Sequence, residues 1–190
     1  MRAYLQFAGL IFLASLIGGC GKKDPGRDYS QAPSISITLG VKPVEDGILL
    51  AHPKDTAEVS PQKIVGMDCD LLKPTTEDDA YLYFKIAPSF KKELAMDLKV
   101  TVEYYDIERS SFWIEYDGWD KHDEKAGAYT KTTDRIKLSG NPTVWLRASL
   151  LLPRARLRNR QNDGGDFCIR VAHANLFVHA VTVEKYVPKE

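Results

Sequence analysis

Four arginines stand two residues apart in the run RARLRNR: Arg154, Arg156, Arg158 and Arg160. On a straight strand that spacing puts four guanidiniums on one face, about 7 Å apart. Arginine forks grip carboxylate, sulfate or phosphate with two parallel hydrogen bonds. Arg154, Arg156 and Arg158 are therefore candidates for an anionic ligand, such as a uronic or sulfated sugar or a lipopolysaccharide phosphate. The commoner role of such a stripe is an exposed strand face whose charges guard a sheet edge. Asp163 and Asp166 stand close enough in sequence to neutralise part of it.

A second group suits neutral sugar chemistry. Sugar rings present an apolar C–H face and a rim of hydroxyls, so an exposed indole or phenol takes the face while carboxylates, amides and arginines take the rim. Trp119 lies between Asp117 and Asp120 in the polar stretch DGWDKHDE, just after a segment that ends in Tyr116. If this loop is the site, Trp119 is the stacking platform and Asp117 and Asp120 accept hydroxyls. A sheet face carrying Trp113 and Arg147 is the alternative location. Each tryptophan could equally cover part of the core. The same acidic loop could offer oxygen ligands to calcium, but it lacks EF-hand spacing and Lys121 sits inside it.

Catalytic constellations do not emerge. The histidines are His52, His122, His173 and His179, and there is no HExxH pair for zinc and no GxSxG serine elbow. His173 and His179 would share a straight strand's face, but the intervening HANL reads as a turn. Neither Cys69 nor Cys168 has a neighbouring histidine, which weakens a thiol nucleophile. Any acidic loop offers carboxylate pairs, so a glycosidase has little specific support. With 26 basic and 26 acidic side chains, the chain is no obvious nucleic-acid binder.

The elements that must position these groups alternate with a period of two. Leu82, Phe84 and Ile86 alternate with Tyr81, Tyr83 and Lys85; Val100, Val102 and Tyr104 with Lys99, Thr101 and Glu103; Phe112, Ile114 and Tyr116 with Trp113, Glu115 and Asp117. Val144, Leu146, Ala148 and Leu150 form one inward set, and Phe167, Ile169 and Val171 another. Near the end, Phe177, His179, Val181 and Val183 oppose Leu176, Val178, Ala180 and Thr182. Such segments, rich in Val, Ile, Tyr, Phe and Thr and broken by turn residues, predict antiparallel strands. SISITLGV and GILLA are shorter candidates, and Ser89–Met96 is a candidate for one short helix after Pro88. Eight or so strands with almost no helix predict a two-layer β-sandwich.

The ordered set YLYF, VTVEYYD, FWIEYDG, NPTVWLRASLLL and RARLRNRQNDGGDFCIRV is similar to bacterial galactose-binding-like jelly-roll domains, which are carbohydrate-binding modules. The resemblance runs from about Tyr81 to Val183 and implies an all-β, antiparallel jelly-roll sandwich that binds a polysaccharide or oligosaccharide without catalysis. It aligns Trp145 with the family's recurrent tryptophan, a packing residue. Some members hold a structural calcium, whose ligands do not map onto this chain; no other cofactor or metal is implied. Cys168 and Arg154 depart from the basic and the acidic residue expected at those positions.

The start of the chain reads as an address. Ala3 to Ile17 is almost wholly apolar after Arg2, too short for a membrane span of roughly 20 residues but suited to a signal-peptide core. Leu16-Ile17-Gly18-Gly19-Cys20 resembles the lipobox of bacterial lipoproteins. That resemblance implies cleavage before Cys20, acylation of its thiol and freed amine, and an outer-membrane destination, since Gly21 rather than aspartate follows. The expected organisation is a signal peptide over 1–19, a lipidated flexible tether over 20–33, and a β-sandwich domain over 34–190. Export would permit Cys69 and Cys168 to pair, and two separate buried thiols are the alternative.

The functional expectation is a lipid-anchored, exported glycan-binding protein. A structural or assembly lipoprotein that holds a protein partner through the same surface is the second reading, and an enzyme the third. Cys20→Ser should accumulate as uncleaved precursor without acyl mass. Intact-mass analysis of the wild-type protein checks this, and an unmodified Cys20 there would remove the anchor.

Overall fold

The alternating segments pair into two antiparallel sheets. The computed structural model describes residues 26–51, 57–75, 78–122, 124–141 and 143–187; Cys20, the expected signal peptide over 1–19, the first residues of the expected tether and His52 lie outside them. In chain order the strands are β1 (Ser34–Thr38), β2 (Val44–Asp46), β3 (Ile48–Ala51), β4 (Ala57–Ile64), β5 (Met67–Pro74), β6 (Ala80–Ile86) and β7 (Met96–Asp106). They continue with β8 (Arg109–Tyr116), β9 (Thr130–Lys131), β10 (Ile136–Ser139), β11 (Leu146–Ala155), β12 (Phe167–Val171) and β13 (Leu176–Lys185). One sheet, here sheet A, runs β11-β7-β13-β1-β2, with β5 paired to the start of β13 and β4 outside it. Sheet B runs β10-β8-β12-β6-β3, with β9 on the end of β8. The fold is an antiparallel jelly-roll β-sandwich.

The core lies between the sheets, and the alternating residues fill it. Leu98, Val100, Val102 and Tyr104 face Leu82, Phe84, Phe112, Ile114, Phe167 and Ile169, all buried. Phe84 stacks on Phe167 at 4.9 Å between ring centroids, and Tyr104 meets Phe112 edge-on at 5.0 Å, joining β7 of one sheet to β8 of the other. Full burial of each such side chain contributes about 1.5–3 kcal/mol.

Two irregularities change the alternation. In β13 the register against β7 slips between Val178 and Ala180. The core therefore takes Leu176 and Val178 before the slip and Val181 and Val183 after it, while His179 is only half-buried. An extra residue in one strand reverses which face each later side chain occupies. In β11 the register slips between Leu152 and Ala155; Leu150, Leu152, Ala155 and Leu157 point inward, and the inward set begins at Leu146 because Val144 precedes the strand and is exposed.

Other expectations change for equally local reasons. Ser89–Met96 is not a helix: a turn closes through Phe90 and Lys91, a bend follows at 93–95, and β7 opens at Met96. Phe90 is fully buried, and Lys91 reaches the buried carboxylate of Asp166 at 2.8 Å. Asp166 also accepts hydrogen bonds from the backbone N–H groups of Ile86 (2.8 Å) and Asn159 (3.0 Å). Burial pushes its carboxyl up from the usual range, while Lys91 and these donors pull it back down. The β4–β5 hairpin, around Val65 and Gly66, escaped the period-two reading because its strands are charged and carry Pro61. The folded domain also begins before Ser34. Tyr29 belongs to the core, its N–H donates to Ser89 Oγ at 3.0 Å, and Lys185 Nζ donates to the carbonyl of Ser30 at 3.0 Å. Residues 29 and 30, expected to lie before the domain, therefore pack with it.

Cys69 and Cys168 are both free and buried, which corrects the bridge considered above. Cys69 lies on β5 of sheet A with its thiol 3.6 Å from the Gln62 carbonyl, whereas Cys168 lies on β12 of sheet B among Ala51, Tyr83, Ala128 and Tyr129. The pleat and the sheet assignment hold the two sulfurs in separate environments. Burial pushes the Cys69 thiol up to about 11 and raises Cys168 well above the ordinary range. Denatured, unreduced protein should therefore release two labelling-competent thiols per chain from these positions, and native protein almost none. A count of zero in the denatured sample would restore the bridge.

Candidate functional site

The site is built where β8 ends. Asp117 follows Tyr116 and is completely buried. Its Oδ1 accepts from Arg160 Nη2 at 2.5 Å and Nε at 3.0 Å, and its Oδ2 accepts from the backbone N–H of Arg158 at 2.7 Å. Its carbonyl accepts from the N–H groups of Arg156 (2.7 Å) and Leu157 (3.3 Å). The hydrogen bond to Asp117 raises the pKa of Arg160 further, so its guanidinium is held charged. Asp117 thus clamps the segment after β11 to the end of β8. Its oxygens are committed to the protein, and it takes no place among the groups that meet solvent.

The chain then leaves the sheet and returns at β9. Glycine is required at both ends of this excursion. A Cβ on Gly118 would meet Thr130 Oγ1 at 2.5 Å, and one on Gly127, whose φ is +86°, would meet the Asp120 carbonyl at 2.4 Å. The close approach leaves Trp119 at the surface, 40% exposed. The guanidiniums of Arg154 and Arg156 each lie 5.0 Å from the centre of its indole ring, within cation–π range. Together these groups line an open cleft of about 600 Å³ with Tyr116, Asp120, Lys121, His122, Thr130 and Pro153. Tyr116 is buried, and its hydroxyl donates to the Pro153 carbonyl at 3.1 Å. Asp120 is exposed, with Oδ1 accepting from the His122 N–H at 2.9 Å.

The structure therefore joins two groups that were separate in the sequence. Trp119, Tyr116 and Asp120 share a cleft with Arg154 and Arg156. The arginines do not form a straight stripe. Arg154, Leu157 and Asn159 all have positive φ, at 52°, 50° and 57°, so the segment coils. Arg160 turns in to Asp117, Arg158 stays exposed outside the cleft, and only Arg154 and Arg156 reach it.

Trp113 and Arg147 do not share a face. Trp113 is on the outer side of sheet B and only 4% exposed. Arg135 and Arg170 lie 4.3 and 4.9 Å from its ring centre, and its indole N–H donates to Glu115 Oε1 at 3.1 Å. Arg170 is itself held by Asp79 (2.6 Å) and Glu115 (2.7 Å). This ladder seals the face, and no stacking surface remains on Trp113. Arg147 is exposed on sheet A, paired with Glu103 at 3.0 Å, beside a shallow groove of about 250 Å³.

Sequence reasoning missed a second aromatic group on sheet A. Trp145 meets Tyr105 at 5.5 Å and His179 at 5.7 Å. Continuing the alternation past Tyr104 would have placed Tyr105 outward; His179 escapes that rule because the β13 slip turns it out. Among the described residues no group of three or more His, Cys, Asp and Glu is placed to hold a metal ion. Trp113→Ala should lower stability by about 3–5 kcal/mol, as for a buried tryptophan, and leave ligand affinity in the folded fraction intact. Chemical denaturation beside a binding titration reads both.

No family model matches the chain, and no curated protein matches it. Among solved structures it is similar to the CBM22-1 xylan-binding domain of Paenibacillus barcinonensis Xyn10C, with 10% identity over 82% of this chain and 94% of that one and a TM-score of 0.48. It is also similar to the cleaved adhesin domain of Lys-gingipain from Porphyromonas gingivalis, with 11% identity over 81% and 99% of the two chains and a TM-score of 0.47. A family 29 carbohydrate-binding module from Piromyces equi gives 9% identity over 80% and 91%, with a TM-score of 0.46.

Proposed function

We propose that the protein is an exported, non-catalytic carbohydrate-binding lipoprotein, anchored to the outer membrane through Cys20, whose ligand lies in the Trp119 cleft. The observation that carries this reading is the exposed indole of Trp119 in an open cleft surrounded by hydrogen-bonding side chains. A sugar's C–H face packs on the exposed part of the indole, and its hydroxyls meet Asp120, Thr130 and the arginine donors around it. The Asp117 clamp and the two close glycine contacts set the cleft before any ligand arrives, which lowers the ordering cost of binding.

Trp119→Ala should weaken polysaccharide binding by about 1–3 kcal/mol, as truncation of an aromatic anchor does. Its melting temperature should stay close to that of the wild type, because the removed ring is partly in solvent. Intrinsic fluorescence and calorimetric titration against soluble xylan, β-glucan, galactomannan and polygalacturonate, beside thermal melts, measure both quantities. A destabilised Trp119→Ala that binds normally would move the site to the Tyr105–Trp145 face of sheet A. Retention of a protein from solution that free oligosaccharide does not displace would favour the assembly role.

A further inference from the structure

We infer that the Trp119 cleft selects anionic glycans, those carrying carboxylate or sulfate groups, through the unpaired guanidiniums of Arg154 and Arg156; this rests on the carbohydrate reading of the same cleft. Their position carries it: among the described residues Arg109, Arg135, Arg154, Arg156 and Arg158 have no carboxylate partner, and of these only Arg154 and Arg156 line the cleft beside Trp119. Arg27, Arg147, Arg160 and Arg170 each hold a carboxylate within 3.0 Å. Among the described residues, Arg154 and Arg156 have no carboxylate partner and no side-chain hydrogen bond, and Arg156 Nε is buried without an acceptor. The terminal N–H groups of both guanidiniums are uncommitted among the described residues, and an oxygen of a bound anion would accept from them. A guanidinium over an aromatic ring keeps its N–H donors in its own plane, available to a second group at its edge.

The backbone is bent to present these two side chains. Leu150 and Leu152 point into the core, so unbroken alternation would carry Arg154 and Arg156 inward as well. The slip between Leu152 and Ala155 puts Ala155 and Leu157 inward instead and turns the arginines out. Arg154 accepts a positive φ to do so, and its N–H is tied to Asp97 Oδ1 at 2.7 Å. Lys121 adds a third cation to the lining, against Asp120 as its one described acid. The lining thus carries three cations against one acid, with the Asp97 carboxylate behind the backbone of Arg154, in a chain with equal numbers of acids and bases.

The test uses the purified full chain with polygalacturonate, dextran sulfate and uncharged dextran. The wild type should bind at least one of the two anionic polymers at least tenfold more tightly than dextran, with affinity falling as salt rises from about 50 to about 500 mM. The double variant Arg154→Gln, Arg156→Gln should lose about tenfold or more of that affinity and most of the salt dependence. Arg158→Gln removes the same charge from the exposed side of the segment and should change neither. Restoring charge with Arg154→Lys, Arg156→Lys should recover salt dependence but only part of the affinity, because the fork is missing. Preference for polygalacturonate identifies carboxylate, and preference for dextran sulfate identifies the sulfate ester. Equal loss in Arg158→Gln, or salt-independent binding unaffected by the double variant, would overturn the inference. Binding to neutral polysaccharides that Trp119→Ala abolishes, with anionic polymers no better, would overturn it and leave the carbohydrate reading standing. If no polysaccharide binds, both fall.

Discussion

The arrangement around the cleft depends on one buried carboxylate. Asp117 has no contact with solvent, and an unpaired charge there would cost several kcal/mol. The chain meets that cost by bringing Arg160 and the backbone N–H of Arg158 onto its two oxygens. Those same bonds fix where the coil after β11 must run, and hence where Arg154 and Arg156 emerge. A second buried carboxylate, Asp166, does the same for the turn before β7 through Lys91 and two backbone N–H groups. Its burial and its hydrogen bonds push its titration in opposite directions. The two acids sit at either end of the 156–166 segment and are linked directly, since the Asp117 N–H donates to the Asp166 carbonyl at 2.9 Å.

The two sheets use their outer faces differently. On sheet B, Trp113 is enclosed by Arg135, Arg170 and Glu115, and Tyr81 stacks near Tyr83 at 6.0 Å. Aromatic and cationic side chains there satisfy one another, so the face is closed and contributes to stability. On sheet A, Thr101, Glu103, Arg147, Thr182 and Glu184 leave a shallow polar groove. The Trp119 cleft lies off both sheet faces, where a loop rather than a strand presents the indole. Exposed aromatic groups on a fixed loop are well suited to recognition, because the scaffold bears the cost of ordering them.

Local slips in register decide what each strand displays. A sheet's period of two leaves no intermediate choice: one inserted residue exchanges inside for outside along the rest of the strand. In β13 the exchange takes His179 out of the inward set and onto the surface beside Trp145. In β11 it rescues the arginines from the core. Both slips lie in long strands of sheet A that pair with β7, so β7 acts as the straight reference against which they are bent.

Alternation alone determined the all-β class and most of the core, because burial on one face of a pleated strand demands apolar residues at every second position. Leu82, Phe84, Val100, Val102, Phe112, Ile114, Phe167 and Ile169 are legible that way. So was Trp119 as an aromatic residue in a polar loop. The pattern could not show that Asp117 would be buried, that Trp113 would be sealed by two arginines, or that Cys69 and Cys168 would stand on different sheets. Those outcomes depend on partners 22 to 99 residues away in the chain, and period-two patterning carries no information about pairing across such distances. The joining of Trp119 to Arg154 and Arg156 was decided the same way. It required a bulge, three residues of positive φ and a buried ion pair, each of which exists only once the sheets have packed.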